Sequence, residues 1–224
     1  MPKVFISGSI TLKRLDSQVE ARLDNIVASG HEVLVGDAAG VDQCVQQYFA
    51  NRQYAAVTVY CTGDTPRHNL GAWPLVAVCP PANARGRAFY TAKDLEMAEA
   101  ADFGLMIWDG KSPGTLSNVF ELLDRARKSV VYRQAAGLFC NVHCLDDLQA
   151  LIAQMDEPAR LEADKKVGLS RRIERLSRKV EDPVAIRQQI DEHLTAIARH
   201  QRRVAELQAK LDAISTSTGA DLFS

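Results

Sequence analysis

Leu105-Met106-Ile107-Trp108 runs into Asp109-Gly110-Lys111-Ser112-Pro113-Gly114-Thr115, and a helical face through Val119, Leu122 and Leu123 follows. Four successive apolar residues predict a buried strand, the two glycines a tight corner, and the repeat of three and four a helix. The same unit recurs along the first two thirds of the chain. Val4-Phe5-Ile6 ends at Ser7-Gly8-Ser9 and leads to a helix on Val19, Leu23, Ile26 and Val27 that Gly30 closes. Val33-Leu34-Val35 ends at Gly36-Asp37-Ala38-Ala39-Gly40-Val41-Asp42 and leads to a helix on Val45, Tyr48 and Phe49. Val57–Tyr60, Leu75–Val78 and Val130–Tyr132 read as further strands, and Leu95–Ala98 as a helix. Strands alternating with helices at this spacing require crossover connections and a parallel sheet covered on both faces. The expected fold is α/β, a Rossmann-like doubly wound and mainly parallel sheet, with its ligand site beyond the carboxyl ends of the strands.

The pattern changes near residue 157, so the strand-rich domain is assigned to 1–157. A long helical hairpin with a coiled-coil-like stripe follows over 158–215, and 216–224 are expected to be disordered. Leu169, Ile173, Leu176 and Val180 form a first apolar stripe. Asp182-Pro183 then restarts the helix, as cap and first residue, and its face runs through Ile186, Ile190, Leu194, Ile197, Val204, Leu207, Leu211 and Ile214. Such a helix suits oligomerisation or partner docking, and a homo-oligomer through this tail is expected. Residues 158–214 hold 13 Lys and Arg against 9 Asp and Glu, leaving 14 against 19 elsewhere. That asymmetry is mild.

Of the 224 residues, 46% are hydrophobic and 25% charged, the balance of a globular protein. A net charge of −1 supplies no general attraction to nucleic acid or anionic membrane, so membrane binding is not expected and nucleic acid is disfavoured. No apolar run approaches the ~20 residues of a membrane span. Met1-Pro2-Lys3 enters a strand directly, without a signal-peptide pattern, so a cytoplasmic location is expected. Cys44, Cys61, Cys79, Cys140 and Cys144 are odd in number and read as reduced thiols. Cys140-x-x-His143-Cys144 lacks a second ligand pair, so no metal and no cofactor are expected.

Three corners carry the candidate chemistry. Ser7, Gly8 and Ser9 let backbone and hydroxyls approach a phosphate or ribose. In the second corner Gly36, Ala38, Ala39 and Gly40 remove side chains that would screen the amides leading to Val41. Asp37 and Asp42 would repel a phosphate there and suit ribose hydroxyls, helix charge or acid–base work. At the third corner, Gly110, Ser112, Pro113, Gly114 and Thr115 open a helix whose amides, dipole and hydroxyls can converge on one anion. Neither a Walker A loop nor a Gly-x-Gly-x-x-Gly fingerprint is present. Arg85 and Arg87 flank Gly86 and can clamp a phosphate.

The motif at 36–42, Lys93-Asp94 with Met97 and Ala101-Asp102, and the motif at 107–115 together resemble the SLOG superfamily, over residues 3 to about 133. That group joins the DNA-processing protein DprA, LOG-type nucleotide phosphoribohydrolases and small nucleotide-sensing domains. The resemblance implies a Rossmann-like domain whose glycine-rich loops bind a nucleotide or a nucleotide-derived ligand. In the LOG motif Pro-Gly-Gly-x-Gly-Thr-x-x-Glu the acid acts on the ribose; Asn118 stands at that position here. An amide hydrogen-bonds a ribose and offers no charge to an oxocarbenium-like transition state. Nucleotide sensing is therefore the leading expectation. The alternative is hydrolysis or transfer at a nucleoside N-glycosidic bond, with Asp94 or Asp109 as the catalytic carboxylate. A third is DNA association through Arg171, Arg172, Arg175 and Arg178.

Overall fold

A computed structural model describes residues 1–181 and 183–220, with side chains placed over 1–178 and 186–211. Seven strands form one sheet in the order β4-β3-β2-β1-β5-β6-β7. They are β1 (Lys3–Gly8), β2 (Glu32–Gly36), β3 (Val57–Thr62), β4 (Leu75–Val78), β5 (Phe103–Trp108), β6 (Lys128–Arg133) and β7 (Leu138–Val142). Every pairing is parallel except β6 with β7. The helices between them are α1 (Ser17–Ala28), α2 (Val41–Asn51), α3 (Arg87–Ala100) and α4 (Pro113–Asp124). The doubly wound α/β expectation is met, and all six expected strands form.

The central strands are buried on both sides: Phe5, Ile6, Leu34, Val35, Met106 and Ile107 have no accessible surface. One face packs Val4, Ile6, Val33 and Val35 against Val19, Leu23, Val45 and Phe49 of α1 and α2. The other lies under α3 and α4, whose Met97, Ala98, Leu116 and Leu122 are buried. From β1 the chain adds strands in one direction as far as β4. α3 then carries it back behind β3, β2 and β1, so that β5 starts the second half on the far side of β1. That reversal leaves a crevice above the carboxyl ends of β1 and β5.

β7 and its hairpin escape the sequence reading, because Arg133–Leu138 turns through Gly137 at φ +61 and the strand is partly exposed. Phe139 packs against Tyr132 at 4.9 Å between centroids with the rings tilted by 55°, and the Arg22 guanidinium covers it at 4.4 Å. Cys144 caps α5 (Leu145–Ile152), with Asp147 Oδ2 accepting from the amides of His143 at 2.8 Å and Cys144 at 3.3 Å. All five cysteines are free thiols.

Contacts divide the chain into two compact units, 1–173 and 174–224, so the first continues past 157. α6 (Glu157–Val167) packs on α4 through buried Ala159 and Ala163. Arg172, in α7 (Leu169–Glu181), reaches back to Glu121, donates to Ser117 Oγ at 2.8 Å and covers the Phe120 ring at 4.6 Å. In the second unit α8 (Pro183–Ala220) is one helix of 38 residues, or about 57 Å at 1.5 Å per residue. It passes residue 215, where disorder is expected. The Asp182 cap, the side chains of Val180 and Ile214, and residues 221–224 lie outside the description. No helix among the described residues is long and apolar enough to cross a membrane.

Candidate functional site

The β1 and β5 corners are stitched together. Ser9 N donates to Ile107 O at 3.0 Å, Ser9 Oγ accepts from Asp109 N at 3.0 Å, and the same hydroxyl lies 3.4 Å from Thr115 Oγ1. Asn118 Nδ2 donates to Ser7 Oγ at 3.2 Å from the buried face of α4. Gly8 makes this approach possible: a Cβ there would stand 2.3 Å from Ile107 O.

Above these corners lies a cavity of about 370 Å³. Of the predicted residues it is lined by Ser7, Gly8, Ser9, Ala38, Asp42, Asp94, Ser112, Pro113, Gly114, Thr115 and Asn118. The α4 N-terminus faces it, and no side chain caps that helix. A helix start carries unpaired amides and a positive dipole end. Gly114 leaves room in front of them, since the nearest atom to an added Cβ is Arg87 Nη2, at 3.9 Å. The Arg87 guanidinium makes no ion pair among the described residues, and its burial lowers its pKa. It is a cation with no ion pair among the described residues, attracted by Asp94, beside a helix start that no side chain caps.

The β2 corner is built differently. A Cβ on Gly36 would stand 2.2 Å from Lys93 Nζ and 2.3 Å from Asp42 Oδ2, and one on Gly40 (φ +79) 2.5 Å from the Ile10 backbone. These glycines admit protein atoms and leave no space for an anion. Asp37 is spent on Arg67, which donates to it from its amide and Nε at 3.0 Å each and from Nη2 at 2.6 Å. Burial raises the Asp37 carboxyl, but the Arg67 bonds outweigh it and hold it below the usual range. Gly36, Asp37, Ala39, Gly40 and Val41 do not line the cavity; neither do Gly110 and Asp109. The Asp109 carboxylate accepts from the amides of Lys111 and Ser112 and the hydroxyls of Ser112 and Thr11, at 2.7–2.9 Å. Against the opposing effect of burial, these bonds lower its pKa. They shape the loop and leave the carboxylate little capacity for catalysis.

Beneath the cavity lies a charge cluster. Lys93, 3% exposed, donates to Asp94 Oδ1 at 2.8 Å and stands 3.6 Å from Asp42 Oδ2. Burial pushes the Asp42 carboxyl up to about 6 despite Lys93, whereas the two carboxylates raise the Lys93 pKa against the effect of burial. Lys93 stays charged, and Asp42 is the group that titrates. Because its folded pKa exceeds the ordinary 3.8, the folded state takes up a proton between pH 4 and 6 that the unfolded chain releases. Stability from this group is full below that window and declines as pH rises through it, by on the order of 2–3 kcal/mol. Asp37 and Asp109 have the opposite sign. Urea titrations from pH 4 to 7 on wild type and Asp42→Asn are expected to differ in slope by the Asp42 contribution, and parallel curves contradict it.

The sequence reading missed Ile10, Arg67, Tyr90, Thr91, Lys93 and Lys166, which also line the cavity. Arg87, Tyr90, Thr91 and Asp94 occupy one face of α3 at i, i+3, i+4 and i+7. That periodicity was available once the helix was known to start at Arg87 rather than near Leu95. Arg67 covers the exposed Tyr90 ring at 5.0 Å. Arg85 does not line the cavity. A second cavity, of about 420 Å³, lies at the opposite, amino-terminal ends of β1, β5 and β6, away from the glycine corners. Compared with protein-family models, characterised proteins and solved structures, the chain matches none.

Proposed function

We propose that the β1/β5 crevice binds a nucleotide or nucleotide-derived anion and that the domain acts as a sensor of it, in keeping with the SLOG resemblance. The observation that carries this reading is the uncapped start of α4 opening onto free space at Gly114 beside Arg87, which makes no ion pair among the described residues. A phosphate there receives backbone amides and a charge-assisted bond from Arg87. Ser7, Asn118 and Asp94 line the same cavity and can offer donors and acceptors to ribose hydroxyls, and Tyr90 offers an exposed aromatic ring to a base. The exposed apolar stripe of α8 supports a second role for the chain, self-association.

Asp94 lines the cavity, which favours N-glycosidic chemistry as the second reading. Its ion pair with buried Lys93 suits it better to holding a hydroxyl. Calorimetric titration with a panel of nucleosides and their mono- and diphosphates, alongside an assay for released base, separates the two. Binding is expected to require phosphate, to fall roughly tenfold to a hundredfold in Arg87→Ala, and to occur without base release. Release that disappears in Asp94→Asn replaces sensing with catalysis.

A further inference from the structure

We infer that α8 pairs in parallel and in register with the α8 of a second copy, with His200 inside the seam, so that the pair comes apart on acidification. This rests on the reading of α8 as a self-association arm and adds its register and its control.

Ile190, Ile197 and Val204 recur every seven residues, which makes them one core position of a heptad. The second core position, three residues on, then holds His193, His200 and Leu207, with Ile186 one heptad before His193. Leu194 lies next to His193 and shares that layer. His200 has Gln201 beside it, so no neighbouring apolar side chain takes over its place between Ile197 and Val204.

The apolar positions of this seam are open in the chain itself: Ile186, Ile190, Leu194, Ile197, Val204 and Leu207 are 43–65% exposed. At about half exposure, six aliphatic side chains offer on the order of 500 Å² per helix and 1,000 Å² in a symmetric pair, the threshold of a specific interface. A second copy is the occupant that the pattern fits. The β-branched Ile190, Ile197 and Val204 at the first core position, ahead of Leu211, and Leu207 at the second favour two parallel strands. In that arrangement the flanking pairs between copies are Gln189 with Leu194, Ala196 with Gln201 and Arg203 with Gln208, none of them two like charges.

In register, His200 meets His200 of the other copy across the axis. Neutral imidazoles fit a half-buried layer; protonated ones repel each other and lose hydration. The charges within a turn of His200 on either helix are Arg199, Arg202 and Arg203, all cations, and Arg203 is engaged by Glu206 at 3.0 Å. No carboxylate within a turn compensates an imidazolium there. Around His193, Asp191 and Glu192 do so in part, which makes His200 the sensitive layer.

Sedimentation of the full chain at about pH 8 and about pH 5.5, on either side of the ordinary imidazole pKa, tests this. Wild type is expected to be dimeric at the higher pH and to dissociate at least tenfold more readily at the lower. His200→Leu is expected to remain dimeric at both, and Leu207→Asp to be monomeric at both. Oxidation of Leu207→Cys in a Cys79→Ser/Cys144→Ser background is expected to link the two copies. A monomeric wild type at pH 8 overturns the arm itself. A dimer indifferent to pH, or His200→Leu with wild-type acid sensitivity, overturns the histidine layer, and a dimer that Leu207→Cys does not link overturns the parallel register. None of these results bears on the nucleotide site in the first unit.

Discussion

Replacement of Lys93 by Met is expected to cost about 3–5 kcal/mol of unfolding free energy, the loss associated with removing one partner of a buried ion pair. Met fills nearly the same space, so the cost is electrostatic. Asp42, 3% exposed, would be left with the neighbouring Asp94 and one amide bond, from Ala38 at 3.3 Å. Without Lys93 the Asp42 carboxyl, already pushed up to about 6 beside it, rises further and takes up a proton near neutral pH; the penalty is the lost pair plus the cost of that uptake, and adding Asp42→Asn to Lys93→Met is expected to recover the second part, more fully at higher pH. Chemical denaturation of wild type, the single variant and the double variant measures both steps. A near-neutral Lys93→Met, or a double variant no better than the single, removes Lys93 as the element that holds α3 to the β2 corner.

Two glycines that look alike in the sequence are expected to respond in opposite ways. Gly36→Ala places a Cβ 2.2 Å from an ammonium clamped by two carboxylates, so the pair must open; a loss of about 2–4 kcal/mol in stability follows from overpacking and the strained pair. Gly114→Val meets no atom closer than 3.9 Å at its Cβ and lies in the first turn of α4, where a change in stability within about 1 kcal/mol is expected. The Val side chain covers the amides that face the cavity, and nucleotide affinity is expected to fall about a hundredfold, or about 2.7 kcal/mol. Thermal or chemical unfolding and calorimetric titration of both variants read the two effects separately. Should Gly114→Val bind as wild type does, the anion does not sit at the start of α4.

Much of the molecule was legible without coordinates because it is set by local repetition. Apolar runs such as Val33–Val35 and Leu105–Trp108 are continuous since their strands are covered on both faces, and the glycine corners mark where each strand meets its helix. That was enough to predict a parallel sheet, and the cavity lies above its carboxyl ends, where the candidate site was expected. It also predicted Ser7, Ser9, Thr115 and Asn118 as cavity residues. The stripe on α8 was legible for the same reason, as a period of three and four over many turns.

Only the tertiary structure decided what each corner holds. Gly36 and Gly114 both belong to glycine-rich strand-to-helix corners, yet α3 sends Lys93 into the space at Gly36 and only the tip of Arg87 toward Gly114. Asp37, Asp42, Asp94 and Asp109 are equivalent as letters. Arg67 comes to Asp37 from 30 residues away, and Thr11 to Asp109 from 98. Partners so distant in the chain leave no periodic trace, because they are brought together by the pairing of β2 with β3 and of β1 with β5. Local sequence fixes which residues can turn, pair or carry charge; the sheet order fixes which of them meet, and with that whether a glycine borders open space or a lysine.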